Sequence, residues 1–165
     1  MSRLLILTRH AKSSWDDPTA NDHDRPLNKR GRQSAPAMAN WLKQHGWLPD
    51  EVISSTALRT RETWERMGLT AETVEFFHPL YLGSADTLLR HLSKASGKAV
   101  LMLGHNPGIA SFANRIVAQA PDHSRFLDYP TCATTVIRFD FDNWSEIQWH
   151  SGEVLGFAIP REPLE

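Results

Sequence analysis

The sequence predicts an α/β domain: a mostly parallel open sheet with helices on both faces and an antiparallel hairpin at its C-terminal edge. Three observations lead there. Short apolar and β-branched runs recur along the chain, each bounded by turn or polar residues, as strands covered on both faces are. Stretches of helical length, with apolar residues three and four apart, lie between them. Strands alternating with helices imply right-handed crossovers and a layered domain. With 165 residues the chain fits one domain, residues 1–165, and is long enough to bury a full core.

Leu4–Thr8 opens with Leu4-Leu5-Ile6-Leu7 and reads as the first buried strand. Asp16–Arg30 is polar and Pro-containing, and reads as a loop over one end of the sheet. Asn28–His45 carries Ala35, Met38, Ala39 and Leu42 on one face and stops at Gly46, so it reads as a helix. Pro36 inside it argues for a kink or a later start. Glu51–Ser54, Thr73–Phe77 and Ala99–Leu103 are the next strands, with helices over Leu58–Met67 and Ala85–Ala95 between them. The latter helix sets Leu88, Leu89 and Leu92 on one side. Pro107–Ala120 reads as a fourth helix, with Pro107 in the first turn, where its missing N–H costs nothing. The last third changes character. Ala133–Phe141 is a strand, Asn143-Trp144 a turn and Glu146–Trp149 a returning strand, which together make an edge hairpin.

Composition narrows the functional classes. Hydrophobic residues make up 41% and charged residues 22%, as in globular proteins, and the net charge is −1. That charge supplies no basic field for nucleic acid, so an anionic ligand would be held by a few local cations. The single cysteine, Cys132, leaves no internal disulfide and no CxxC zinc pair. No apolar run approaches the roughly 20 residues of a membrane helix. The expectation is a cytoplasmic protein with neither nucleic acid nor membrane as partner.

Chemistry concentrates where strands end. In an open parallel sheet, ligands bind beyond the carboxyl ends of the strands. The first strand runs into Arg9-His10, the second into Ser54-Ser55-Thr56-Ala57-Leu58-Arg59, and the fourth into Gly104-His105-Asn106-Pro107-Gly108. Parallel strands bring all three to one edge, which then holds two imidazoles and two guanidiniums. Guanidinium forks match phosphate oxygens, and a helix starting near Pro107 adds free N–H groups. Each feature alone has a structural explanation, as a solvated strand end, a turn or a surface charge. Their convergence points to a phosphoryl group. The remaining histidines, His23, His45, His78, His91, His123 and His150, have no evident partner and are taken as non-catalytic.

The segment TRHAKSSW, with GHNPG far downstream, resembles the histidine phosphatase superfamily, and within it the small SixA-like branch. Asp24–Gly31 is similar to the family's RPLTxRG helix start, and Ser54–Thr63 to its SSxAxRxxxT motif. Tyr129-Pro130-Thr131 and the hairpin around Trp144, ending at Ile159-Pro160-Arg161, are similar too. The resemblance implies a phosphoglycerate-mutase-like fold and a two-step phosphoryl transfer, in which His10 attacks phosphorus and water then hydrolyses the phosphohistidine. Arg9, Arg59 and His105 would surround the equatorial oxygens, and Lys12, Ser13 and Asn106 would contact the substrate. A neutral imidazole is a competent nucleophile at cellular pH, and with cations lining the pocket no metal or other cofactor is required. The substrate expected is a phosphorylated protein of the histidine phosphotransfer type or a small phosphorylated molecule.

Two departures refine that expectation. Leu82 stands about where many relatives carry a glutamate as general acid, and Asp86, the nearest carboxylate, looks like a helix-start residue. Without an acid, an alcohol is a poor leaving group, whereas an imidazole can take a proton on its far nitrogen from solvent. Asp16 replaces the asparagine of many sugar-phosphate mutases and is expected to face the polar loop. Three rivals were weighed. Cys132 and Arg138 satisfy C-x5-R, but the intervening Ala-Thr-Thr-Val-Ile is strand-forming and cannot curl round an anion. A metal site would have to be built on the Asp22-His23-Asp24 cluster, with no HxH or HExxH elsewhere. A non-catalytic phospho-binding module is the third alternative.

Overall fold

The apolar first strand lies at the middle of the molecule because it is covered on both faces. In the computed structural model, which describes residues 1–160, β1 (Arg3–Arg9) joins β2 (Glu51–Ser55), β3 (Thr73–Phe77), β4 (Ala99–Gly104), β5 (Thr134–Phe139) and β6 (Glu153–Ala158) in one sheet. The six strands take the order β3-β2-β4-β1-β5-β6. The first four named in that order are mutually parallel, while β5 is antiparallel to both β1 and β6. This is the α/β sheet with an antiparallel edge that the residue pattern predicts. Arg161, which ends the C-terminal motif, lies outside the described residues.

Four helices cover the sheet: α1 (Lys29–Gln44), α2 (Leu58–Met67), α3 (Ala85–Leu92) and α4 (Gly108–Ile116). Strand alternation divides the core in two. Ile6, Val52, Leu101 and Leu103 pack with Ala35, Met38, Ala39 and Leu42 of α1 and Met67 of α2. Leu5, Leu7, Val100 and Met102 pack on the other face with Leu88 and Leu92 of α3 and Ile109, Phe112 and Ile116 of α4.

The structure corrects several boundaries. Helix α1 runs through Pro36, which is exposed, so water can hydrate the carbonyl that it leaves unpaired. Asn28 starts that helix by accepting from the Gly31 N–H at 2.9 Å. Helices α3 and α4 are shorter than their periodicity suggests. In α4, Pro107 is the N-cap, and Val117 is already extended, bridging to Gly152. The returning strand is not Glu146–Trp149. Asn143 and Glu146 cap each other's backbone and wind Trp144–Glu146 into a 3-10 turn. Trp144 is buried there, with its indole N–H on the Gly97 carbonyl at 2.7 Å. The strand resumes only at Glu153, as β6.

One close approach ties this scaffold to the loop after β1. A Cβ on Gly31, in the first turn of α1, would collide with the backbone carbonyl of Lys12. In an open helix Gly→Ala gains ~1 kcal/mol, but backbone atoms at this contact cannot move aside as a side-chain tip would. Gly31→Ala is therefore expected to lose about 2 kcal/mol net. Urea denaturation measures the change, and an unchanged or raised stability would contradict the contact.

Candidate active site

Strand register builds the centre of the site. Arg9 lies opposite Gly104, so the next residue on each strand, His10 and His105, leave the sheet together. Their ring centroids are 5.2 Å apart, and the His10 N–H donates to the Gly104 carbonyl at 3.1 Å. Strand β2 flanks β4 on its other side and places the Ser55 hydroxyl 2.7 Å from Nε2 of His105. One turn later, α2 brings in Arg59, buried at 3% exposure. The three strand ends thus converge at one edge.

Hydrogen bonding decides which ring nitrogen of His10 is free. Nδ1 of His10 lies 2.7 Å from the Ala11 carbonyl oxygen. A carbonyl only accepts, so Nδ1 carries the proton and Nε2 holds the lone pair. Burial pushes the His10 imidazole well below its ordinary pKa, despite that carbonyl; His105, Arg9 and Arg59 add repulsion. The Ala11 N–H is itself tied to Thr63 Oγ1 at 2.9 Å, and Thr63 donates to the Arg59 carbonyl at 2.6 Å. Helix α2 therefore holds both the guanidinium and the backbone that orients His10.

Three buried nitrogens in this cluster, Nε of Arg9, Nε of Arg59 and Nδ1 of His105, have no hydrogen-bond partner among the described residues. Burial also drives His105 down to about 3, with Arg59 next in effect, which keeps the free ring neutral. Buried polar groups are seldom left unpaired, and three here belong to the residues at the strand ends. A tetrahedral anion supplies the acceptors that they lack.

Asp22 organises the cations. The Arg59 guanidinium donates to its carbonyl at 2.6 Å through Nη1 and to its Oδ2 at 3.0 Å through Nη2. Arg25 donates to Oδ1 at 3.2 Å, and the Tyr81 hydroxyl donates to Oδ2. Burial alone would raise the Asp22 pKa. The Tyr81, Arg59 and Arg25 donors outweigh it and hold the carboxyl at about 2. The terminal nitrogens of Arg59 are thus engaged by Asp22, and its buried Nε has no protein partner among the described residues.

Arg9, His10, Lys12, Ser13, Trp15, Asp22, Arg25, Arg59, Leu82, His105, Asn106 and Thr131 line a pocket of about 320 Å3. All seven residues expected from the sequence are therefore at one place, with unequal freedom. Ser13 Oγ accepts from Arg25 at 2.7 Å. Asn106 spends its amide on the Asp128 and Tyr129 carbonyls and on the Ala110 N–H, so it fixes the loop before α4. Leu82 is on the rim, whereas Asp86 lies outside the lining and pairs with Arg115 at 3.6 Å. Cys132 is fully buried with its thiol pushed up to about 12, and Arg138 is exposed against Glu153, so C-x5-R makes no site.

Sequence reasoning missed Asp22, Arg25, Tyr81 and Ser55. The signal for two of them was the Asp-x-x-Arg spacing just before Pro26. His23 and His78 were read as having no partner, yet both rings meet Thr56 Oγ1, at 2.9 and 3.1 Å. His23 also bonds Asp24 at 3.1 Å, whereas Asp22 turns away from both to Arg59 and Tyr81.

Comparison with known proteins agrees with this geometry. A family model described as histidine phosphatase superfamily (branch 1) matches residues 5–80. An uncharacterised chloroplastic protein of Arabidopsis thaliana is 34% identical over 160 residues, covering 88% of this chain and 71% of that protein. The phosphohistidine phosphatase SixA of Escherichia coli is 29% identical over 110 residues, covering 62% of this chain and 67% of its own. A solved structure of a candidate phosphohistidine phosphatase SixA from Nakamurella multipartitia superposes with a TM-score of 0.84 at 28% identity, covering 97% of both chains.

The depressed imidazoles carry a stability signature. His105 is neutral in the native state down to about 3, while in the unfolded chain it protonates near 6.5. Between those values unfolding takes up a proton, so stability falls as pH falls. The stability difference between wild type and His105→Gln is expected to move by about 1 kcal/mol against wild type from pH ~6.5 to ~5.5. Urea denaturation at the two pH values measures it; a constant difference would contradict the buried neutral ring.

Proposed function

Because the chain belongs to the histidine phosphatase superfamily, in its SixA-like branch, we propose that it removes the phosphoryl group from phosphohistidine on a protein, through a covalent intermediate at His10. The observation that carries this substrate is the state of Asp22. It is the one carboxyl lining the pocket among the described residues, and its donors hold it ionised. An alkoxide leaving group needs a proton at the moment the P–O bond breaks, and an aspartate held at about 2 does not carry one at neutral pH. A phosphohistidine makes no such demand, since its distal ring nitrogen takes a proton from water.

The steps follow from the geometry. Nε2 of His10 attacks phosphorus, the substrate P–N bond breaks, and the protonated imidazole leaves as a neutral ring. Developing charge on the equatorial oxygens meets the Nε edges of Arg9 and Arg59 and an Nδ1–H of His105, a tautomer selected when Ser55 donates to Nε2. Because the Ala11 carbonyl retains the Nδ1 proton of His10, the phosphorylated ring stays cationic, which makes its Nε2 a good leaving group. Water then attacks phosphorus, the P–Nε2 bond breaks, and inorganic phosphate and the starting imidazole are restored. Lys12, at the pocket mouth, adds charge toward the incoming phosphate.

Incubation with a labelled phosphohistidine peptide in excess chelator, an alkaline quench and mass spectrometry of the chain tests the reading. Label on His10 is expected, and His10→Ala is expected to lose both adduct and turnover, by about a thousandfold or more. Turnover on a sugar phosphate is expected to be much slower than on the peptide. A faster rate on the sugar phosphate would overturn the substrate. Phosphate release without an adduct, abolished by the chelator, would overturn the mechanism.

A further inference from the structure

Trp15 stands at the edge of the pocket with no role in holding phosphate. It is 76% exposed, yet it lines the same cavity as His10 and Arg59. Exposing that much indole to water is unfavourable. The ring is nevertheless held in place, because the Arg25 guanidinium stacks on it 3.6 Å from the ring centroid. Arg25 is itself buried and fixed by Asp22, Ser13 and the Ser14 carbonyl. One face of a flat apolar surface is thereby anchored to the Asp22–Arg25 network.

A second apolar group shares the rim. Leu82 lines the pocket, is 53% exposed, and sits at φ 53°, a backbone region that residues with a Cβ rarely occupy. Trp15 comes from the connection after β1 and Leu82 from the one before α3, so two separate loops each present an apolar side chain around a polar floor. A sugar would have to strip water from its hydroxyls against these groups without gaining hydrogen bonds. A flat heteroaromatic ring gains contact from both.

We infer that Trp15 is a specificity-determining residue: with Leu82 it receives the aromatic ring that bears the phosphoryl group, and so selects a phosphorylated imidazole presented by a protein. This rests on the function proposed above and adds what the phosphate-holding residues do not supply, recognition of the leaving group. The anchored stack orients the ring so that its P–N bond lies over His10, and the indole's exposure leaves the site open to a side chain on another protein's surface.

Two substrates separate the roles. A phosphohistidine peptide has the ring, and phosphoramidate has the same P–N bond without it. The expected result is that Trp15→Ala lowers the ratio of kcat/KM for the peptide to kcat/KM for phosphoramidate about tenfold, chiefly through KM, and that Trp15→Phe keeps the ratio within about twofold of wild type. An equal fall on both substrates would mean that Trp15 only steadies Arg25, and no fall on the peptide would mean that the ring binds elsewhere; either overturns the inference. A wild-type protein inert toward both substrates would instead overturn the proposed function, and this inference with it.

Discussion

The pairing of β1 with β4 is the constraint on which the site depends. Two parallel strands ending at the same level place the residues that follow them side by side, and here those residues are His10 and His105. A slip of one residue would turn every side chain of β1 to the opposite face, which the two-sided core of Leu5 and Leu7 against Ile6 forbids. Burial of ordinary aliphatic side chains thus determines the spacing of two imidazoles. The chemistry needs no precision that the core has not already imposed.

Around that fixed pair the difficulty is electrostatic. Arg9 and Arg59 lie close enough to repel, and neither gives up its proton. The fold meets this in two ways. Both histidines are kept neutral by burial, so neither imidazole adds to the positive charge of Arg9 and Arg59. Asp22 then neutralises part of the arginine charge without occupying the Nε of Arg59. A carboxylate inside an anion site looks contradictory until its partners are considered: Arg59, Arg25 and Tyr81 all donate to it. The same arrangement removes Asp22 as a proton donor, because the donors that orient it also keep it ionised.

Much of this was legible in the sequence, for identifiable reasons. Buried parallel strands write themselves as short apolar runs, so β1, β2 and β4 stood out; β3 is a strand as expected but lies at the sheet edge with Thr73, Glu75 and Phe76 exposed, not buried. The Arg-His, Ser-Ser-Thr-Ala-Leu-Arg and Gly-His-Asn-Pro segments announced the site by following β1, β2 and β4. What escaped was contact across loops. Asp22 lies in a polar stretch where aspartates are common, and nothing local indicates that it meets Arg59 and Tyr81. The returning strand was misplaced because Glu146–Trp149 has strand-like composition, while the reciprocal cap of Asn143 and Glu146 and the buried Trp144 extend the turn and delay the strand to Glu153. Asn106 was expected at the substrate because of its neighbours, yet its amide is consumed by backbone. Local pattern reveals an element; only tertiary packing reveals which polar atoms remain free.

The lone cysteine has a consequence of another kind. Cys132 donates its backbone N–H to the carbonyl of His10 at 2.9 Å, but its thiol is sealed in the core and held far from the thiolate form. Peroxides attack thiolates, and an imidazole offers them no comparable target. In the mechanism proposed above no step passes through a thiol, so oxidants that silence enzymes relying on a reactive sulfur have no corresponding target at His10. The core that positions His10 therefore also shuts the chain's one thiol away from oxidants.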